Sequence, residues 1–458
     1  MKHLIGDKKF YRMVLLITVP IMIQNGITNF VSLLDNIMIG RIGTEQMSGV
    51  SIVNQLIFVF NICIFGAVSG PGIFGAQFFG SGNHDGVRNT FRFKLLICGV
   101  IATIGILLFS FFGENLISLY LHDESDIGDI NATLQYGLDY LKVMMIGLIP
   151  FVISQSYSST LRETGETVLP MKAGITAVIV NLIFNYILIF GKFGAPELGV
   201  VGAAVATVLS RFVECFIIIS WTHRHSVKNI FIQQAYRSFR IPKSLVIKIL
   251  ITGTPLLVNE ALWAGGMATM TQRYSVRGLE VVAGLNISST ISNVFNIVFI
   301  AVGSAIAIIV GQLLGANKID EAKKTAGKLI FFSVSCCMVI GGIMALTSPL
   351  FPQIYNTGSI VKELAQKFIL ISAIMMPLNA FTHASYFTLR SGGKTIITFL
   401  FDSVFVWAIC IPTAFFLTKE TTLTIIPIFI ICQSLELIKC TIGYILVKKG
   451  VWLNNMVA

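Results

Sequence analysis

Three carboxylates, Asp35, Glu260 and Asp402, stand in long apolar stretches of this 458-residue chain without an obvious opposite charge on the same helix. In a low-dielectric site desolvation favours the protonated acid, whereas a neighbouring cation favours the ionised one. Competition between a coupling ion and an outgoing organic cation for one carboxylate is exchange chemistry, because each ligand drives the release of the other. Asp35 and Glu260 are the expected carriers of that exchange, with Asp402 as a third candidate and Na⁺ or H⁺ as the coupling ion. Three further groups are i, i+3 pairs of opposite charge: Asp139 with Lys142, Arg211 with Glu214, and Glu436 with Lys439. Such pairs are expected to neutralise each other on one helix.

Neutral polar residues accompany the acids at helical spacing. Gln24, Asn25, Thr28, Asn29, Ser32, Asp35 and Asn36 recur on one face of the first apolar stretch. Such a face does not look at lipid; it lines a cavity or bonds a neighbouring helix. Ser51, Asn54, Phe58 and Asn61 form a similar face, matched in the second half by Asn286, Ser289, Asn293 and Asn296. For Asn61 and Asn296 the same two uses remain open. Beyond Glu260, Trp263, Met267, Met270 and Tyr274 follow at helical or near-helical spacing. Aromatic faces attract organic cations and Met adapts to varied shapes, although ordinary packing also uses these residues.

The elements that must position these groups are membrane helices. Apolar residues make up 55% of the chain, charged ones 12%, and the mean hydropathy is +0.81, which defines a polytopic membrane protein. Twelve spans are expected, centred at about residues 23, 62, 102, 144, 180, 210, 258, 297, 336, 375, 406 and 434. The fold class is therefore all-α, and no soluble domain is left over. Lys and Arg recur at Lys2, Lys8, Lys9 and Arg12, at Arg88, Arg92 and Lys94, at Arg162 and Lys172, in the 224–248 stretch, in the 318–328 loop, and at Lys448 and Lys449. The acidic 114–129 loop, with Glu114, Asp123, Glu124, Asp126 and Asp129, holds none. The bias predicts that both termini are cytoplasmic, and it makes the net charge of +11 a matter of topology rather than of nucleic-acid binding.

Residues 20–90 recur at 255–325 with a constant offset of 235, which pairs Pro20 with Pro255, Gly43 with Gly278, Val59-Phe60-Asn61-Ile62 with Val294-Phe295-Asn296-Ile297, and Gln77 and Gly80 with Gln312 and Gly315. Six spans per half is an even number, so the repeats are parallel and expected about an axis along the membrane normal, with a cavity between them. The expected divisions are an N-terminal six-helix bundle at 1–228, a cytoplasmic linker at 229–247 and a C-terminal bundle at 248–458. The linker is expected either to lie on the membrane as an amphipathic helix or to be a solvated connector. Pro20, Pro150, Pro377 and the Gly66, Gly70, Pro71 and Gly72 cluster are expected bending points, with Pro20 bending or loosening the first span.

What is missing narrows the function. A GxxxxGK[ST] loop is absent, which excludes ATP hydrolysis by that route. The six histidines and eight cysteines show no metal-ligand, triad or disulfide spacing, so no cofactor is expected and the thiols are expected to be free. The first apolar run is long enough to stay as a span instead of being cleaved as a signal peptide.

The segment from Pro20 to Gly43, ending in DNIMIGRIG, resembles the first span of multidrug and toxic compound extrusion (MATE) transporters. Ala76-Gln77-Phe78-Phe79-Gly80 and Gly311-Gln312-Leu313-Leu314-Gly315-Ala316 are similar to that family's loops, as are Leu161-Arg162-Glu163-Thr164-Gly165 and its counterpart Leu389-Arg390-Ser391-Gly392-Gly393. The resemblance implies a twelve-span antiporter of two pseudo-twofold-related bundles that expels small cationic, often aromatic compounds on a Na⁺ or H⁺ gradient. It implies a membrane-embedded monomer in contact with lipid, with no enzyme activity and no ATPase subunit. Asp35 matches the family's first-span acid. The seventh-span Glu of one branch falls one turn beyond Glu260, at Trp263, and the fifth-span Asp of another falls in the region of Asn181 and Asn185. The expected substrate cavity gathers Gln24, Asn25, Asn29, Asn54, Asn61, Asn181, Asn185, Trp263, Met267, Asn293 and Asn296. A flippase for a lipid-linked saccharide, expected to line its cavity with Arg or Lys, and a channel are the alternatives.

Overall fold

A computed structural model describes residues 5–121, 129–355 and 357–458, without the side chains of residues 31–33, 36 and 37. Ser32 and Asn36 of the first polar stripe, and Asp123, Glu124 and Asp126 of the acidic loop, therefore lie outside the described residues. Among the described residues eleven helices are long and apolar enough to cross a membrane, and a bent pair supplies a twelfth crossing if it is one span. The first half comprises α1 (Lys8–Gly40), α2 (Thr44–Gly80), α3 (His84–Ser118), α4 (Ile130–Ile146), α5 (Leu148–Glu163), α6 (Val168–Ile189) and α7 (Gly199–Arg224). The second comprises α8 (Lys243–Ser275), α9 (Leu279–Gly315), α10 (Ile319–Thr347) and α11 (Ser359–Ser391), then α12 (Thr395–Phe399), α13 (Ile411–Glu420), α14 (Ile425–Ser434) and α15 (Glu436–Lys449). Between α12 and α13 the chain is π-helical at Leu400–Val404 and Val406–Cys410.

The prolines act unequally. Pro150 has no N–H for the carbonyl of Ile146, and α4 ends at that residue; α4 and α5 meet at 46°. Pro20, Pro71 and Pro377 lie inside unbroken α1, α2 and α11. The expected loosening at Pro20 thus produces no break, because one missing donor in a 33-residue helix leaves the rest of the ladder in place.

The helices gather into two compact units. The N-terminal unit is Ile23–Gly75 with His84–Ile249; the C-terminal unit is Met1–Met22, Ala76–Asn83 and Leu250–Ala458. Residues from α2, α3, α4, α5 and α7 fill the core of the first, among them Val53, Ile57, Ile64, Ile117, Leu141 and Leu148. In the second, Val14, Ile17 and Ile21 of α1 pack with Ala305, Ile306, Val310, Ala326 and Leu329 of α9 and α10. The repeat-related ends of α2 and α9 touch reciprocally within this unit. A Cβ on Gly80 would lie 1.9 Å from the carbonyl oxygen of Gln312, and one on Gly315 would lie 1.8 Å from that of Gln77. Only glycine fits either place, so the paired motifs record a backbone crossing.

The linker forms only a short 3-10 turn at Ile230–Ile232; its first part packs on the N-terminal unit, whereas residues 236–240 are exposed. Phe231, Ile232 and Ala235 are buried, Arg92 of α3 donates to the carbonyls of Ala235 and Gln234 at 2.8 Å, and the Tyr236 hydroxyl bonds that of Tyr157. Apolar residues interleaved among its charges clamp it to the N-terminal unit. Lys94 departs from expectation too. Placed by sequence among the basic residues of an inner loop, it is fully buried, with Nζ 2.6 Å from both oxygens of Glu163 and 3.1 Å from Thr160 Oγ1. Carboxylate and ammonium satisfy each other there, which makes burial of both tolerable.

Candidate functional site

Asp35 sits near the end of α1 in the N-terminal unit, half-buried against α6. Asn185 donates to its Oδ1 at 2.6 Å and to Asn181 Oδ1 at 3.1 Å, and Asn181 donates to Thr207 Oγ1 of α7 at 3.2 Å. Residues 181 and 185 are one helical turn apart, so both carboxamides leave α6 on the same face. Among the described residues no cation lies within 4.0 Å of Asp35. The acid is held by one neutral donor, itself fixed by Asn181, which orients it without supplying a positive charge.

The rest of the first stripe divides. Gln24 accepts from the Arg162 guanidinium at 2.5 Å, Asn25 is half-buried, and Asn29 is exposed. Tyr140 donates to Asn54 at 3.4 Å, a bond inside the bundle. Asn61 keeps a buried Oδ1 with no protein partner. In the other unit Asn293 is exposed and Asn296 half-buried. Helix-to-helix bonding thus accounts for part of Gln24 and Asn54, and leaves Asn29 and Asn293 open.

In the C-terminal unit α8 presents two different faces. Asn259, Gly266, Met270 and Tyr274 point inward, and Tyr274 stacks edge-on against Phe429 at 5.7 Å. Met270 and Tyr274 are core residues, so of the two uses open to them packing is the one observed. Glu260, Trp263 and Met267 share another face, half-buried in the first case and exposed in the other two, at 41% and 46%. No cation lies within 4.0 Å of Glu260 among the described residues.

Asp402 differs from both other acids. Lys439 of α15 approaches its Oδ1 at 3.3 Å, and Asn259 donates to its Oδ2 at 3.2 Å. Asn259 also accepts from the Ser403 hydroxyl at 2.7 Å, and Trp407 Nε1 donates to the Leu262 carbonyl at 2.8 Å, so the π-helical segment is stitched to α8. The lack of a same-helix partner did not mean the lack of a partner. Of the three i, i+3 pairs, Asp139 with Lys142 and Glu436 with Lys439 form at 3.3 Å, whereas no ion pair joins Arg211 to Glu214 among the described residues. Arg211 instead donates to the Gly147 carbonyl, at 3.2 Å, and lies over the Phe151 ring. The Gly147 carbonyl at the α4–α5 bend, which also accepts from the Phe151 amide at 3.3 Å, takes the guanidinium in place of the carboxylate one turn away.

Comparison with known proteins gives this geometry a context. A family model described as MatE matches residues 20–187 and again residues 255–416, starting at the two prolines that open the internal repeat. A probable multidrug resistance protein NorM of Thermotoga maritima is 25% identical over 95% of this chain and 92% of its own length. A MATE transporter of Vibrio cholerae, VcmN, superposes with a TM-score of 0.87 over 99% of both chains at 15% identity. An outward-facing multidrug resistance MATE family transporter of the MOP superfamily gives 0.85 over 98% of both at 16% identity.

Proposed function

The chain belongs to the MatE family, and from that premise we propose that it is a secondary active multidrug efflux transporter exporting cationic, often aromatic compounds in exchange for Na⁺ or H⁺. It is a multi-pass membrane protein and not an enzyme. The names of its relatives, probable multidrug resistance proteins, support multidrug efflux. The observation that carries the coupling is Asp35, a membrane-embedded carboxylate bonded by Asn185 at 2.6 Å and by no cation among the described residues. An amide donor fixes the direction of the carboxylate and leaves its charge to be balanced by a proton, an alkali cation or a substrate cation. Glu260 offers a second membrane-embedded acid with no cation within 4.0 Å among the described residues, on the helix face of the exposed Trp263 ring and the Met267 thioether, which suit flat cations of varied shape.

In this reading ion and substrate alternate at the acids, and each turnover carries one outward and the other inward. Both termini face the cytoplasm of a cell-membrane protein that works as a monomer without an ATPase subunit. The test is efflux of a fluorescent cation from proteoliposomes with Na⁺ and pH gradients imposed separately. Gradient-driven, saturable efflux that Asp35→Asn and Glu260→Gln abolish is expected; full ion-driven efflux by both variants would overturn the assignment.

A further inference from the structure

Lys439 lies in a cage that resembles an ion's coordination shell more than a salt bridge. Its Nζ is 3.3 Å from Asp402 Oδ1 and 3.3 Å from Glu436 Oε1, and it faces the rings of Phe401 at 5.6 Å and Phe405 at 5.9 Å. Carboxylate oxygens and aromatic faces are both cation ligands. Two acids share the one ammonium, each through a single oxygen at 3.3 Å, and Glu436 Oε2 is buried with no protein partner. Phe401 and Asp402 come from the first π-helical segment of the eleventh span and Phe405 sits between its two π-helical segments, a wide-turn geometry found mostly at functional sites. On the far side Asn259 holds Asp402 Oδ2, one residue from Glu260.

We propose that Lys439 is a tethered cation, whose ammonium fills a monovalent-cation site made by Asp402 and Glu436 and so keeps Na⁺ out of it. On the ion-coupled reading above, this removes Asp402 from exchange and leaves Glu260 as the available acid of the C-terminal unit. Lys439 is then a specificity-determining residue. A side chain that cannot leave supplies the charge that a free ion would otherwise supply, and removing it vacates a site with two carboxylates around it.

Thermal unfolding of purified protein in detergent, with NaCl exchanged for choline chloride at constant ionic strength, reads the site directly. In the wild type any Na⁺-specific shift of Tm is expected to be unchanged by Asp402→Asn. Lys439→Gln is expected to add a Na⁺-specific rise of about 3 °C, which Lys439→Gln combined with Asp402→Asn removes. Lys439→Arg, which keeps the charge, is expected to behave as wild type. The charge-balanced Glu436→Gln/Lys439→Gln protein retains Asp402 and is expected to gain a Na⁺-specific rise even if the single variant fails to fold. Absence of that gain in the variants that fold, or a wild-type Na⁺ shift that Asp402→Asn abolishes, overturns the proposal. Binding in detergent is independent of efflux, so a failed transport assay leaves this result standing, and the reverse holds as well.

Discussion

Among the described residues each unit buries one lysine, and the two are held in opposite ways. Lys94 is clasped by a single carboxylate, both of whose oxygens lie at 2.6 Å, and a hydroxyl completes its shell. Lys439 is shared at 3.3 Å by two carboxylates and two aromatic faces. The first arrangement is one-to-one and short, the mark of a structural pair; the second divides one ammonium between two acids and is looser. The acids differ in the same sense. Asp35 leans on one neutral amide, whereas Asp402 has an ammonium as well as an amide, so a carboxylate in a span is available for exchange only if its neighbours orient it without neutralising it.

The hardest test of the contrast is Lys94→Met, which removes the ammonium from a buried Glu163. A loss of about 3–5 kcal/mol is expected in denaturant or thermal unfolding, with no dependence on Na⁺. A stable variant would remove the structural reading of that pair. Next in size, Asp35→Asn is expected to lower gradient-driven efflux by about 100-fold or more, whereas Asp402→Asn retains most of it; the fold-change follows from losing a charge–charge contact in low dielectric. Equal losses in the two proteins would erase the distinction between the acids. Asn185→Ala removes one hydrogen bond to a charged group and is expected to weaken coupling-ion dependence by about 10-fold, read as the ion concentration for half-maximal efflux. Trp263→Ala is expected to raise the half-saturating concentration of an aromatic cation by about 3-fold, leaving that of the coupling ion unchanged. Smallest of all, Asp139→Asn breaks a pair whose side chains are 64% and 36% exposed, and a stability change below about 0.5 kcal/mol is expected.

Much of the scaffold was legible in the residues. Pro20 and Pro255, Gln77 and Gln312, and Gly80 and Gly315 announce two copies, and the structure shows why the glycines must be glycines. Asp139 with Lys142 could be read from spacing because three residues on a helix is a local distance. The same rule misread Arg211, since a bend carbonyl contributed by another helix was the better acceptor. It also misread Asp402, whose partner is 37 positions away on α15. Lys94 carried one usable signal, a lysine inside an otherwise apolar run, but Glu163 lies 69 positions off.

The sequence by itself determined the solvent, the number of crossings to within one, the twofold repetition and which residues carry charge, because hydrophobicity and helical period are properties of contiguous residues. Tertiary structure alone decided which charges meet. Asn185 reaches Asp35 across 150 positions and Asn259 reaches Asp402 across 143, through helix pairings that no local period encodes. Whether an acid is neutralised, merely oriented or left open depends on those pairings, since electrostatic energy is set by distances of a few ångströms in a medium that screens little.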